Sequence, residues 1–314
     1  MRIKFRRNCI MRKKLTAVLL VSAAAAMLAT GCGSKDAQST QAVSAAETAA
    51  QTALKAPESE AQSEAAGEEK TAEGSEYQFV APADAVEAAK TGETHVLDVR
   101  EWGNYVEGRV AGSEWCPIFP LEDESLAENM TAYAKENLSD GKEIYIICNS
   151  GQRGAQKATG VLEDAGIDAS LIYTVEGGAK ALAKEKDALT TNRTEESIDW
   201  QYVTGKEAVE AVGNSDIQIL DVRDDDTYAK GHLEGSLQVG LKEIEDSKAQ
   251  TEMYELAVNE MNKEKPVYLL CYSGNNCAKT AVSVMKDAGF DTNNLFIIEN
   301  GAKDADVQAA FVTE

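Results

Sequence analysis

Cys148-Asn149-Ser150-Gly151-Gln152-Arg153 follows the apolar run Ile144-Tyr145-Ile146-Ile147 and precedes a helix-patterned segment at 155–165. A short β-rich run, a tight Ser/Gly loop and then a helix is a layout that aims backbone N–H groups at one point. A cysteine opening such a loop lies at the positive end of a helix, where the thiolate is favoured over the thiol. Arg153 closes the loop with a permanent positive charge. Chemically the stretch suits a nucleophilic sulfur and an anionic substrate. The competing reading is a buried cysteine after a core strand, inert and filling space.

The loop occurs twice. Cys148-x-Ser150-Gly151 returns as Cys271-x-Ser273-Gly274, and the same offset of 123 residues carries Leu97-Asp98-Val99-Arg100 onto Leu220-Asp221-Val222-Arg223. Tyr105 returns as Tyr228, Gly112-Ser113 as Gly235-Ser236, and Gly178-Ala179-Lys180 as Gly301-Ala302-Lys303. A unit this long is far above solenoid periods, so the pattern predicts two complete domains from a duplication. Within the first unit, 94–99, 143–147 and 170–174 read as strands. Segments 82–90, 126–137 and 155–165 read as helices, the first with Pro82 in its opening turn. Such alternation implies an α/β fold with a parallel sheet covered on both faces. The expected organisation is a signal peptide at 1–31, a disordered tether at 32–75, and domains at 76–192 and 198–314.

The hexapeptide resembles the active-site loop of the rhodanese family, whose pattern is C-x-x-G-x-R. Cys148, Gly151 and Arg153 fill its fixed positions. The blocks around Asp98 and Asp221 are likewise similar to the family's D-V-R…Y-x-x-G-H-I-x-G-A, with Arg109 where the family usually has His and His232 kept in the second unit. The resemblance implies two tandem rhodanese-like domains and sulfurtransferase activity without a metal or organic cofactor. Cys148 would take sulfane sulfur from thiosulfate or a persulfide donor and pass it to cyanide or a thiol. The amides of Asn149, Ser150, Gly151, Gln152 and Gly154 would stabilise the thiolate and persulfide, and Arg153 would hold the loop or the donor's anionic end. Two other classes stay open. One is a cysteine-dependent phosphatase or arsenate reductase, whose C-x-x-x-x-x-R loop is one residue longer than this one. The other is a non-catalytic module for binding or for sulfur or redox sensing.

The second loop departs where charge matters. It reads Cys271-Tyr272-Ser273-Gly274-Asn275-Asn276-Cys277, with Asn276 in the place of Arg153 and Cys277 in the place of Gly154. The first loop is therefore expected to be the working one. A reversible disulfide between Cys271 and Cys277 is expected if the compartment is oxidising.

That compartment is suggested by the amino end. Arg2, Lys4, Arg6, Arg7, Arg12, Lys13 and Lys14 precede an apolar run at 15–29, too short for a comfortable span and suited to a signal peptide. Leu28-Ala29-Thr30-Gly31-Cys32 resembles a bacterial lipobox, which implies lipidation of Cys32 and an extracytoplasmic, membrane-anchored protein. Met11 is a second candidate start. Residues 33–75 are mostly Ala, Glu, Ser, Thr and Gln without an aromatic, too little apolar bulk to offset ordering entropy. A tether of this length reaches about 35–40 Å. An Ala-rich helix is the alternative there.

The chain has 314 residues, 43% of them hydrophobic, enough for two cores, and a formal net charge of −22. So acidic a surface argues against nucleic acid as a partner. Protein partners are not indicated. His95 and His232 are the only histidines, and neither has cysteine or carboxylate partners at ligand spacing, so no zinc site or hydrolase base is readable. Asp98 and Asp221 suit a turn-holding role better than that of a base. Cys116, answered by Val239, reads as a buried small hydrophobe.

Overall fold

In a computed structural model of the protein, residues 77–194 and 198–313 are described. The signal peptide, Cys32 and the tether lie outside them. The described residues fall within a single compact unit.

The first repeat runs β1 (Gln78–Val80), α1 (Pro82–Thr91), β2 (His95–Asp98), α2 (Trp102–Val106), β3 (Glu114–Trp115), α3 (Glu124–Tyr133), β4 (Ile144–Ile147), α4 (Arg153–Asp164), β5 (Ile172–Val175) and α5 (Gly178–Leu182). The second answers with β6 (Gln201–Val203), α6 (Gly205–Glu210), β7 (Gln218–Asp221), α7 (Asp225–Ala229), β8 (Leu237–Gln238), α8 (Ser247–Glu260), β9 (Val267–Leu270), α9 (Asn276–Asp287), β10 (Leu295–Ile298) and α10 (Ala305–Ala309). Each repeat holds one five-stranded parallel sheet, in the orders β1-β5-β4-β2-β3 and β6-β10-β9-β7-β8. In each, the strand that leads into the cysteine loop lies in the middle of its sheet.

The buried side of the pattern explains the sheet. Ile144, Ile146 and Ile147 of β4 are all essentially inaccessible, as a central parallel strand covered on both faces requires. Ile144 and Ile146 pack with Leu162, Val161 and Met130 on one side. Ile147 packs on the other with Ala179, Leu182 and Ala85. Asp98, Arg100, Asp221 and Arg223 are buried charges in matched pairs. Arg100 donates to both Asp98 carboxylate oxygens and to the Gly108 carbonyl, and Arg223 does the same with Asp221 and Gly231. The aspartates thus hold the following turn, as the sequence suggests, and their oxygens are engaged by guanidinium. Burial pushes the Asp98 carboxyl above its ordinary value, against the pull of Arg100.

Several boundaries differ from the sequence expectation. Helix α4 starts at Arg153 rather than 155, so Arg153 belongs to the helix's first turn rather than to the loop. Strand β5 starts at Ile172, not 170, because Asp168 accepts the Ser170 N–H and winds Ala169–Leu171 into a tight turn. Helix α3 starts at Glu124 on an Asp123 cap, two residues earlier than predicted.

The repeats meet through a seam that belongs to neither pattern. Trp102 of α2 stacks on Tyr254 of α8, ring centroids 4.0 Å apart, and its indole N–H donates to Thr251. Trp115 closes on both rings edge-on. Arg193, fully buried, pairs with Asp287 and sits over the Trp102 and Tyr105 rings, while its carbonyl accepts from Ser283. Gln250 donates to the Thr191 carbonyl.

Candidate active site

Cys148 directly follows β4, at the carboxyl edge of its sheet, where α/β folds bind ligands. Its loop is wound against the start of α5. The Ala179 N–H donates to the Cys148 carbonyl at 2.8 Å and the Lys180 N–H to that of Asn149 at 3.1 Å. Gly151 turns the chain with φ +70, and a Cβ there would stand 2.9 Å from the Val175 carbonyl oxygen. At Gly178 the approach is closer still: a Cβ would come within 2.2 Å of the Cys148 oxygen. Only a residue without a side chain lets the two backbones touch. Gly178 appears in the sequence as a repeat landmark; its position under the cysteine is visible only in the fold.

The loop then enters α4 with Gln152 as its N-cap and Arg153 and Gly154 in the first turn. First-turn amides have no acceptor within a helix, so this end carries the positive pole of α4. Cys148 is 2% exposed, Gly154 is buried, and Asn149, Ser150 and Gly151 are half-buried. Gln152 and Arg153 are exposed. Phe119 is a neighbour that the sequence did not disclose. A Cβ on Gly154 would stand 2.5 Å from its ring and 3.2 Å from the Cys148 Cβ, so ring and cysteine flank the bare helix start together. The arrangement offers a sheltered sulfur at a helix's positive end, with an exposed cation in that helix's first turn.

The second loop has the same backbone and different furniture. Gly274 has φ +65, and a Cβ on Gly301 would meet the Cys271 oxygen at 2.2 Å, the same distance as in the first repeat. Cys271 is 1% exposed and its Sγ accepts the Asn275 N–H at 3.4 Å. Ser273 is exposed. Tyr272, in the place of Asn149, accepts the Asp224 N–H at 2.9 Å and donates to the Asp224 carboxylate, tying the loop to the start of α7. That hydroxyl holds the Asp224 carboxyl down at about 2. Asn276 is exposed and Cys277 half-buried.

The remaining candidates lie elsewhere. His95 opens β2 and bridges Glu114 (2.6 Å) and Asp140 (3.1 Å), carboxylates that are distant in sequence and close only in the fold. Spacing along the chain concealed both partners. Among the described residues no group of three His, Cys, Asp or Glu could hold a metal ion. His232 stacks on Tyr228 at 4.0 Å, and its backbone pairs with Val312. Arg109 pairs with Thr190 at the matching place and lies over the Tyr105 ring. Cys116 is buried, and burial pushes its thiol up to about 12. A surface pocket lined by Ile217, Gln218 and Glu234 sits at the amino end of β7, the end of the sheet opposite Cys271.

Two parallel α/β units, each with a cysteine loop at the carboxyl edge of its middle strand, define a tandem α/β protein with one such loop per repeat. The rhodanese-like domain model matches residues 81–185 and 204–305, more than half of the chain, and the chain belongs to that family. It is 31% identical over 75 residues to the thiosulfate sulfurtransferase GlpE of Coxiella burnetii, covering 24% of this chain and 61% of that one. Over 101 residues it is 31% identical to YibN of Escherichia coli K12, covering 32% of this chain and 64% of that protein. The chain thus spans less than two thirds of the length of either relative. The crystal structure of the 3-mercaptopyruvate sulfotransferase SseA from Escherichia coli aligns at 16% identity and a TM-score of 0.31, over 72% of this chain and 99% of that one. No helix among the described residues is long and apolar enough to cross a membrane.

Proposed function

We propose that the protein is a sulfurtransferase that moves sulfane sulfur through a persulfide on Cys148. The Cys148 thiolate attacks the outer sulfur of thiosulfate, the S–S bond breaks and sulfite leaves. Cyanide or a thiolate then takes the outer sulfur and frees the Cys148 thiolate. Dividing one transfer into two covalent steps lowers each barrier. The observation that carries this reading is the loop itself: a cysteine against the first turn of α4, with the exposed Arg153 in that same turn as a cation for an anionic donor that the acidic surface would otherwise repel. The four-residue spacing between Cys148 and Arg153 also favours a single sulfur over a tetrahedral oxyanion. A thiosulfate:cyanide assay run beside a phosphatase assay tests it. Thiocyanate formation without phosphate release is the expected result, and the reverse would overturn the reading.

The same proposal places the protein outside the cytoplasm, anchored through a lipid on Cys32, on the strength of the basic start, the apolar run and the lipobox-like residues. The Cys32→Ala protein is expected to take up no labelled palmitate and to leave the membrane fraction. Retention of label and membrane association would sink the anchor.

A further inference from the structure

The second loop departs from the first in a coordinated way. At the place of Gly154 stands Cys277, and at the place of Phe119, whose ring covers Gly154, stands Lys242. The Lys242 side chain is 61% exposed, with Nζ 3.7 Å from Asp224, so no aromatic ring stands at that place. Loss of the ring and gain of the thiol occur at one point in space.

That point is against the first cysteine. The two loops follow one backbone path. Gly151 and Gly274 share a positive φ (+70 and +65), and the N-cap residues Gln152 and Asn275 share an uncommon conformation (φ −125, ψ −121 and φ −138, ψ −128). In the first repeat a Cβ at position 154 stands 3.2 Å from the Cys148 Cβ. The second repeat carries a real Cβ there, on Cys277. Disulfide-bonded Cβ atoms stand about 3.5–4.5 Å apart, and the separation at the matching place of the first repeat lies within a few tenths of an ångström of that range. Both thiols are free in the structure. Burial, and next the neighbouring Cys271, push the Cys277 thiol up to about 11, so Cys277 is the partner that keeps its proton. Cys271 holds the place of Cys148, and its Sγ accepts the Asn275 N–H at 3.4 Å, so it takes the attacking place in the loop.

We propose that the second loop is a dithiol centre that discharges sulfane sulfur as sulfide, with Cys271 as the attacking and Cys277 as the resolving thiol. The Cys271 thiolate attacks the outer sulfur of a hydropersulfide R–S–SH. A bond forms between Cys271 Sγ and the outer sulfur, the donor's S–S bond breaks, and R–S⁻ leaves, taking up the proton that the Cys271 thiol gave up on ionising. Cys277 loses its proton and attacks Cys271 Sγ; the Sγ–Sγ bond forms, the bond to the outer sulfur breaks, and hydrosulfide leaves. In sum, R–S–SH and two cysteine thiols give R–SH, hydrogen sulfide and one disulfide. The sulfane sulfur is reduced and the cysteine pair oxidised, and a second thiol pair from a dithiol reductant resets the loop. The inference rests on the sulfur-handling reading of the fold but not on Cys148.

The test uses the full chain carrying Cys148→Ser, reduced, desalted and then exposed to glutathione persulfide. After alkylation, tryptic peptide 264–279 contains Cys271 and Cys277 and no other cysteine. The expected result is one equivalent of sulfide above the protein-free control, with that peptide unalkylated and lighter by two hydrogens. Adding Cys277→Ser, or Cys277→Gly, which installs the first loop's residue, should leave Cys271 one sulfur heavier and slow sulfide release by about tenfold or more. Two alkylated thiols in the treated parent, or equal sulfide release without Cys277, would overturn the proposal. Failure of the Cys148 reading shows separately, as a Cys271→Ser/Cys277→Ser protein that makes no thiocyanate.

Discussion

The loops at Cys148 and Cys271 follow a similar backbone path and differ in what surrounds the sulfur. Each follows the middle strand of a sheet, turns on a positive-φ glycine and rests on the backbone of a second glycine. Around the first stand an arginine, a glycine and a phenylalanine; around the second stand an asparagine, a cysteine and an outward-turned lysine. The scaffold preserves a place for a sulfur atom, and three neighbouring positions decide what that sulfur does. Helix-end amides are common to both loops and so cannot distinguish them. The fixed cation and the second thiol can.

The most severe way to break this comparison is to remove each sulfur in turn. Cys148→Ser is expected to abolish thiosulfate:cyanide turnover while Cys271→Ser leaves most of it; the opposite pattern reverses the assignment. A smaller effect tests what the loops share. Gly178→Ala and Gly301→Ala each drive a Cβ to 2.2 Å from a cysteine carbonyl oxygen, and each should cost about 3 kcal/mol of stability in denaturant unfolding. Unequal losses would show that the two braces are not equivalent. Smaller again is the cation. A charge-assisted contact is worth about 1.5–3 kcal/mol, so Arg153→Asn, which copies the second loop, should lower the rate by roughly one to two powers of ten. An unchanged rate would leave the guanidinium without a part in the chemistry.

The smallest effect is a dependence on acid that only the second loop has. Asp224 is held at about 2, chiefly by the Tyr272 hydroxyl, below the usual carboxylate value of roughly 4. A depressed carboxyl contributes stability that is present above its unfolded pKa and lost as pH falls through the folded one. The contribution should therefore fade between about pH 4 and 2. Asp224→Asn and Tyr272→Phe should each flatten acid unfolding in that window, read by denaturant titration at stepped pH. A curve as steep as the parent's would remove the Tyr272 tie from the comparison.

Much of this was written in the chain. The duplication is legible because gapless landmarks survive at one offset, and the middle strand because its buried isoleucines form an unbroken apolar run. Cys148 and Gly151 are legible as a loop between an apolar run and a helix pattern, although Arg153 belongs to the helix. What escaped has a common cause. Strand β3 is two residues long and carries no periodicity. The Phe119 ring reaches Gly154 from 35 positions away, and His95 finds Asp140 from 45. Arg193 looks like one polar residue in a linker and is a buried pin. Contacts between distant residues leave no local pattern, and so only the folded chain displays them.

The seam between the repeats has a consequence for assembly in bulk. A head-to-tail contact between like units propagates without limit unless something ends it, and unchecked propagation makes fibres. Here the plug and the socket sit on different copies. The first unit offers Trp102 and Trp115; the second has Asp225 and Gln238 at those places, and Gln238 donates to the Arg223 carbonyl as the Trp115 indole does to that of Arg100. The second unit receives with Tyr254 and Thr251, where the first has Thr131 and Glu128. A further copy would find a carboxylate where stacking needs an indole, and a threonine where it needs a phenol. The partners that stack at the seam thus occur once per chain, the indoles on the first unit and the phenol on the second.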